Sequence, residues 1–545
     1  MKKVKTTNKE AGSIGLVSAI CLIISSVVGV GVFFKNGSVF NNNNNNQTGI
    51  ILSWCIATVI ALFTAFSFAE IVTVKGLENP NAGLSGWAQK LVGYNFGRHV
   101  SITQSTFYYA AKLVAMSTYS AICLFIVYFA ATKIGNEDTI QFDAKLLGID
   151  SKYTTLIVMS IAFCLIFFFL LTNFFSKKFG QIVSKGATFV KFVPILMISL
   201  IGIIIGCMIN KNLTYSFNNV LTQVNVQADN NDFINGIFRS IPAILFSFDS
   251  FLIIGNVSKN VKNAERNVPL SIIISMIIAA IFQIMITIGC ITIGEANPFQ
   301  LIKIGILDHC KSKVGYIICA TILSVSLIIA TFGVLNSYSL AGTKATQALI
   351  DDEIIVGYKW AKRISNKHEN LGALFIYSFF IILIFMAIAI PSSIVNTSHI
   401  YDGFSTLAVL FYFGIYGTTI LGGLINRITK KNQVQKVWYF IPFGIIAVIG
   451  CYFTFAYSCI YQFLWQVIEN PFGNNANSFG FSLVVGTNLN NWQAATIFWS
   501  AALFFIGFPF INDLIIKISD RNYTHALIWQ NKKELKSYNN KMKGK

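Results

Sequence analysis

Four ionisable side chains lie inside long apolar runs of this chain, where a charge is costly and therefore informative. They are Glu70 in SFAEIVTVKG, Lys112 in STFYYAAKLVAM, Lys191 in KGATFVKFVPIL and Asp249 in AILFSFDSFLIIG. A charged group at the centre of a bilayer costs about 2.5 kcal/mol or more, so such residues bind substrates or ions, relay protons, or pair with one another. The sequence leaves open which of the four bind a ligand and which only form internal ion pairs.

Two glycines interrupt the first apolar run. Residues 15–34 read GLVSAICLIISSVVGVGVFF and are long enough to cross a bilayer as a helix. Gly29 and Gly31, separated by Val30, stand in its outer half, where each glycine weakens a helix by about 1 kcal/mol. A break at membrane depth frees backbone groups that only protein, water or a ligand can satisfy. We therefore expect a discontinuous helix whose ends bind something.

A second interruption is expected in the sixth apolar run. Ser247, Asp249 and Ser250 bring small and polar side chains into its middle, and Pro242 upstream removes a backbone hydrogen bond. The alternative is a polar stripe that packs against a neighbouring helix. Breaks in the first and sixth runs are five spans apart, an arrangement typical of secondary transporter binding sites. Half-helix N-termini suit a carboxylate and freed carbonyls suit an ammonium, so one site offering both suits an α-amino acid.

The composition places these breaks in a polytopic membrane protein. Of the 545 residues, 54% are hydrophobic and 12% are charged, and the mean hydropathy is +0.63. We expect a retained cytoplasmic N-terminal tail over residues 1–14, one membrane domain over 15–515 and a basic cytoplasmic tail over 516–545. The predicted membrane helices number twelve, at residues 15–34, 50–70, 102–131, 153–174, 187–209, 236–257, 270–293, 315–342, 371–391, 403–425, 438–459 and 493–515.

The positive charge is distributed asymmetrically between the predicted loops. The net charge is +19, and with the N-terminus inside the cell the cytoplasmic segments hold thirty Lys and Arg residues against eight outside. This bias predicts that both termini are cytoplasmic. The basic loops and C-terminal tail are expected to contact anionic lipid rather than nucleic acid, because no folded nucleic-acid-binding module accompanies the charge. Ten cysteines and five histidines show neither a disulfide framework nor a metal-binding motif.

Four stretches of the chain resemble the amino acid–polyamine–organocation (APC) superfamily, the amino acid permeases. The first span, IISSVVGVGVFF, resembles the glycine motif of that family. The other three are AFSFAEIVTVKGLENPNAGLSGWAQKLVGYNFG after the second span, FSFDSFLIIGNVSKNVKNAERNVP around the sixth, and GVLNSYSLAGTKATQALIDD at the end of the eighth. The resemblance covers roughly residues 12–370, and the last two spans match only in hydropathy.

The resemblance implies an all-α membrane fold with a five-plus-five inverted repeat and discontinuous helices 1 and 6. Repeat one would cover residues 15–209, repeat two 236–425, and two further helices 438–515. The implied substrate-binding residues are Ser26, Gly29, Val30 and Gly31 in the first span and Phe246, Ser247, Phe248 and Asp249 in the sixth. Phe246 would act as an aromatic gate. Lys191 would carry the coupling proton, while Lys112 and Tyr108 would contribute to selectivity.

These features together predict a transporter that imports amino acids across the plasma membrane, coupled to protons and with no other cofactor. An exchanger is the first alternative and a transporter-like sensor or channel a more distant one; no motif indicates an enzyme. Three residues depart from the family pattern: Val30 between the glycines, Ser250 at a position usually occupied by glycine, and Leu252 where many members have Glu. Asp249 suits a cationic substrate and Lys112 an anionic one, but if they neutralise each other the pocket favours neutral or varied amino acids.

Overall fold

The computed structural model describes residues 14–27, 31–77, 83–133, 153–176, 189–209, 231–365, 370–395, 399–473 and 489–519, together with residues 183, 186, 187 and 368. The described part of the chain is helical and holds no β-strand beyond one isolated bridge. Its helices are α1 (Leu16–Val27), α2 (Gly31–Asn42), α3 (Gln47–Ile71), α4 (Leu84–Leu91), α5 (Tyr94–Thr103), α6 (Ala110–Lys133), α7 (Thr154–Phe175), α8 (Phe192–Ile209), α9 (Asn231–Phe248), α10 (Ala264–Ile293), α11 (Pro298–Ile302), α12 (Lys313–Asp351), α13 (Tyr358–Ser365), α14 (Leu371–Val395), α15 (His399–Thr429), α16 (Phe440–Ala456), α17 (Gln466–Glu469) and α18 (Asn491–Ser519).

Every predicted apolar segment overlaps at least one of these helices. Among the described residues, nine helical segments are long and apolar enough to cross a membrane, and two shorter apolar helices cover Leu16–Val27 and Phe192–Met208. Large apolar side chains lie on the outside of the bundle, such as Phe510 and Leu503 on α18. This outward apolar surface is what a lipid environment requires and what water would oppose.

The structure moves several of the predicted helix boundaries. The first predicted span ends at residue 34, but α2 continues to Asn42; the tenth begins at 403, but α15 begins at His399. The predicted eighth span stops at residue 342, whereas α12 continues to Asp351. Hydropathy misses these ends because polar residues within a helix terminate an apolar run without terminating the helix. The short helices α4, α11 and α13 were not predicted.

The asparagine tract at residues 41–46 forms the end of α2 and the turn that leads into α3. Asn43 is buried, and its side-chain amide donates to the Val39 carbonyl at 2.8 Å and to the Ser240 hydroxyl at 3.0 Å. The Asn46 side chain caps α3 by accepting from the Gly49 amide at 3.0 Å. Asparagine suits this turn because its short amide caps helices and replaces missing backbone partners.

One long helix carries an extra residue at membrane depth. Residues Tyr94–Lys133 are helical throughout, but Gln104–Tyr109 form a π-helical turn between α5 and α6. A π-turn inserts one residue and so rotates the following face by about 100° relative to a regular helix. Tyr108 lies in this turn and Lys112 follows one helical turn later, so both side chains are directed by the insertion.

Glycines allow two of the membrane helices to approach each other closely. A Cβ atom added at Gly202 on α8 would lie 2.5 Å from the Cα of Gly289 on α10. Such contact between small residues lets membrane helices pack at backbone distance, where van der Waals attraction is greatest.

The chain before α1 is joined to the segment that follows the second break. The Ile14 amide donates to the Asn260 carbonyl at 2.8 Å, and the Lys262 amide donates to the Ile14 carbonyl at 2.8 Å. These two bonds form the isolated parallel bridge between Ile14 and Val261.

Candidate functional site

The sixth apolar run is broken where the sequence predicts. Helix α9 ends at Phe248, Ser250 adopts a left-handed backbone with φ of 77°, and a 3₁₀ helix follows over Phe251–Asn260. The sequence predicts that Pro242 contributes to the break. However, α9 continues for six residues beyond Pro242, so this proline does not cause the break. The last carbonyls of α9 therefore lack the partners that a continuing helix would supply.

Ser250 occupies a backbone conformation that glycine adopts more easily. Its hydroxyl lies 3.2 Å from the Tyr108 hydroxyl and also contacts the Tyr338 hydroxyl. These bonds offset part of the cost of a left-handed conformation in an L-residue, about 1–2 kcal/mol. Serine at this position therefore keeps the left-handed turn and adds two hydrogen bonds.

We expect Ser250→Ala to be less stable than Ser250→Gly by about 1 kcal/mol. Both changes remove the hydroxyl, but only alanine keeps the left-handed strain, so the difference between them isolates the backbone term. Thermal unfolding of both variants in the same detergent measures it. Equal melting temperatures would show that the strain inferred at Ser250 is absent.

In the first apolar run the structure describes helical residues on both sides of positions 28–30. Helix α1 ends at Val27 and α2 begins at Gly31, while Gly29 and Val30 lie outside the described residues. A Cβ atom at Gly31 would lie 2.9 Å from the Ser247 Oγ and 3.1 Å from the Ser247 Cα. The N-terminal end of α2 therefore contacts the C-terminal end of α9.

We expect Gly31→Ala to lower the amino acid uptake that the family resemblance implies by about tenfold or more. The added methyl group must push α2 away from the backbone of Ser247. Gly15→Ala is the matched control, since a Cβ there meets nothing within 4 Å. Initial uptake rates at equal protein density in vesicles measure the effect. Equal rates for both variants would mean that the contact at Gly31 tolerates displacement.

Asp249 is the centre of a buried polar cluster beside the break. Its Oδ2 lies 3.1 Å from the Lys112 Nζ and accepts from the Tyr108 hydroxyl at 2.5 Å. Its Oδ1 accepts from the Tyr416 hydroxyl at 3.1 Å. The sequence left Lys112 and Asp249 as possible partners, and the structure pairs them. Three donors on one buried carboxylate satisfy its oxygens and hold it in place.

Phe246 lies between two lysine ammonium groups. The Lys112 Nζ is 3.7 Å from the ring centroid, and the Lys35 Nζ is 4.7 Å from it. Both distances are within the range of a cation–π interaction. The predicted gate residue is thus held on the last turn of α9 by ammonium groups from α2 and α6.

A second buried ion pair, which was not predicted from the sequence, joins α2 to α15. The Lys35 Nζ on α2 contacts the Asp402 carboxylate on α15 and lies 2.7 Å from the Thr406 hydroxyl. The Tyr119 hydroxyl also donates to Asp402. Both charged residues fell just outside the predicted spans, at 15–34 and 403–425. Continuing the helical period beyond the apolar run would have placed each of them on a buried helix face.

Lys191 contacts the last turn of α1, and Ser26 is part of that turn. The Lys191 ammonium donates to the Ser25 carbonyl, and its Cε lies 3.9 Å from the Cβ position of Gly333 on α12. Lys191 therefore lies between α1 and α12, and its ammonium group contacts a backbone carbonyl. Ser26 is buried, and its hydroxyl donates to the Leu22 carbonyl of its own helix at 3.0 Å.

Glu70 and Phe248, which were also singled out in the sequence, make contacts that hold helices together. The Glu70 Oε2 lies 2.5 Å from the Arg427 Nη2 and accepts from the Val437 amide at 2.8 Å, which joins α3 to α15. Phe248 is fully buried, with its ring centroid 6.4 Å from that of Trp54. Only the backbone of Phe248 faces the break as a possible ligand. Among the described residues, no cluster of His, Cys, Asp and Glu could hold a metal ion.

The described geometry can be set beside known proteins. The family described as Amino acid permease matches residues 14–485, which covers both interruptions and the polar clusters around them. The chain belongs to the amino acid permease family. Its relatives include the Serine/threonine exchanger SteT of Bacillus subtilis, 22% identical over 81% of this chain and 90% of that protein.

Other relatives of this permease have equally broad coverage. The b(0,+)-type amino acid transporter 1 of Mus musculus is 25% identical over 82% of both chains. The Arginine/ornithine antiporter ArcD2 of Lactococcus lactis is 20% identical over 90% of this chain and 92% of its own. These relatives are named as transporters, exchangers and antiporters rather than enzymes, and the family is one of multi-pass membrane proteins.

Proposed function

We propose that this permease is a secondary active transporter that imports amino acids by alternating access. The observation that supports this proposal most directly is the contact between Gly31 at the start of α2 and Ser247 at the end of α9. We place the substrate carboxylate at the amides of the glycine motif that precedes α2, as the family resemblance implies. The last carbonyls of α9 suit an ammonium. The junction therefore offers both halves of an amino acid zwitterion, with Phe246 beside it as the gate.

The substrates we propose are neutral amino acids. A cationic side chain would need a free carboxylate, but Asp249 already faces Lys112 and two tyrosine hydroxyls. An anionic side chain would need a free ammonium, but Lys112 and Lys35 each have a carboxylate partner. Buried charges that are paired are costly to separate, so a substrate without a side-chain charge fits best.

Coupling to protons is proposed to run through Lys191. The residue lies between α1, which carries the binding junction, and α12, so its charge is placed to bias their relative movement. No ion or cofactor other than the proton is invoked. Exchange is the second candidate, because relatives named as exchangers and antiporters cover most of the chain. Exchange would require that the empty carrier reorients slowly and the loaded carrier quickly.

The proposed architecture is the twelve-span inverted repeat implied by the family resemblance. Repeat one covers residues 15–209, repeat two 236–425, and the two further helices 438–515, between cytoplasmic tails at 1–14 and 516–545. In this arrangement α1–α3, α9 and α10 rock against the spans built from α5–α7, α12 and α14. The protein would reside in the plasma membrane, with anionic lipid at its basic cytoplasmic segments.

The experiment that tests this function is uptake of a panel of labelled amino acids into proteoliposomes, with and without an inward proton gradient. Uptake of neutral amino acids that increases with the gradient supports proton symport. Uptake that occurs only after preloading with amino acid identifies an exchanger. Absence of uptake under both conditions, from protein shown to be folded, contradicts the proposal.

A further inference from the structure

A buried glutamine from the neighbouring helix reaches the end of α9. Gln283 lies within α10, in the otherwise apolar stretch IIAAIFQIMIT, and is 1% exposed. Its Nε2 donates to the Ser247 carbonyl at 2.7 Å. That carbonyl is one of those left without an intrahelical partner where α9 ends.

The orientation of this amide follows from chemistry. A backbone carbonyl only accepts hydrogen bonds, so the glutamine must direct its NH₂ group at Ser247 and turn its oxygen away. The Gln283 Oε1 is then a buried acceptor, and no partner for it occurs in the described part of the chain. The Ser247 hydroxyl is also buried and, within the same described ranges, has no hydrogen-bond partner.

Two orphaned polar atoms on adjoining residues call for an explanation. Buried polar groups in proteins are nearly always satisfied, so an unsatisfied one calls for a partner that the chain itself does not supply, such as a water molecule, an ion or a ligand. Here the Gln283 oxygen, the Ser247 hydroxyl and the Ser247 carbonyl can all accept, and the carbonyl has a second lone pair. A group of acceptors repels a carboxylate and suits a ligand with several N–H donors, of which an ammonium has three.

We propose that Gln283 Oε1 binds the α-ammonium group of the substrate, while its Nε2 positions the Ser247 carbonyl for the same group. This role rests on the proposed function. The empty site leaves these acceptors unsatisfied, and the arriving ammonium satisfies them, so part of the binding free energy comes from removing that penalty. A glutamine that only capped α9 would use its NH₂ group and leave its oxygen without a role.

Two variants of Gln283 distinguish its role as an acceptor for the ammonium from its role as a cap on α9. Gln283→Leu removes both donor and acceptor, whereas Gln283→Glu removes the donor to Ser247 but keeps an acceptor for the ammonium. We expect Gln283→Leu to weaken binding of a labelled neutral L-amino acid by about tenfold or more, and Gln283→Glu to bind at least tenfold more tightly than Gln283→Leu. Gln466→Leu, a change at another buried glutamine, in α17 and outside the site, is the control and should match the wild type.

A second measurement uses a ligand without the ammonium. The 2-hydroxy acid analogue of the same amino acid competes for the site, and its apparent affinity should change less than twofold in Gln283→Leu. Equal weakening of both ligands, or equal weakness of the Leu and Glu variants, would reduce Gln283 to a structural cap and overturn the inference. If the folded wild-type protein binds no amino acid, the proposed function falls first and the role of Gln283 with it.

Discussion

Replacing Lys112 with methionine should change the preferred substrates of the permease from the proposed neutral amino acids to cationic ones. The change leaves the Asp249 carboxylate buried with two tyrosine hydroxyls and no counter-ion. Leaving a buried charge uncompensated costs about 3–5 kcal/mol of stability, and a substrate ammonium bound near Asp249 would recover part of it, so cationic substrates should bind roughly 100-fold more tightly than neutral ones. The ammonium of a lysine or ornithine side chain could take the place of Lys112. Competition of labelled neutral and cationic amino acids in proteoliposomes measures the change in preference.

The double variant Lys112→Met with Asp249→Asn is the matched control for this conversion. It removes both charges, so uptake of neutral amino acids should return and uptake of cationic ones should be lost. Asp249→Asn alone should alter selectivity or affinity, because it leaves the Lys112 ammonium without its carboxylate. A Lys112→Met protein that keeps wild-type preference for neutral substrates would show that the pair lies outside the substrate pocket.

Replacing Lys191 with alanine should abolish the dependence of uptake on a pH gradient while leaving the protein folded. The variant removes the group that donates to the Ser25 carbonyl at the last turn of α1. In the proposed coupling the Lys191 side chain gains and loses a proton, so without it the equilibrium between outward and inward states should no longer depend on protonation. Uptake rates at several imposed gradients, compared with equilibrium exchange in their absence, measure the loss.

Lys517→Ala provides the control for Lys191, since Lys517 is an exposed lysine near the end of α18. This variant should keep the full response to the gradient. A Lys191→Ala protein whose uptake still rises with the proton gradient would remove Lys191 from the coupling mechanism. If wild-type uptake requires preloaded substrate, exchange replaces symport and Lys191 becomes a cap for α1.

The sequence predicted the positions of the helices and of the second break, because both depend on local patterns. An apolar run of about 20 residues requires a helix in lipid, where every backbone group needs an internal partner. The cluster of Ser247, Asp249 and Ser250 interrupts such a run, and the structure ends α9 at that cluster. The place of the break and the polar residues that form it could therefore be predicted from residue types alone.

Contacts between distant helices could not be predicted in this way. The Lys35–Asp402 pair joins residues 367 positions apart, and neither lies within a predicted span. Gln283 looked like one polar residue in an apolar helix, and only the rotation of α10 directs it at Ser247. A hydropathy profile contains no information about helix rotation, so it shows that polar groups are buried without showing their partners.

The bridge between Ile14 and Val261 joins the chain that enters α1 to the chain that leaves the 3₁₀ segment after α9. The two segments share two backbone hydrogen bonds, so neither can move alone without breaking both. We therefore expect the start of α1 and the end of the 3₁₀ segment to move together during any conformational change. A substitution that loosens one of these segments should for the same reason affect the other.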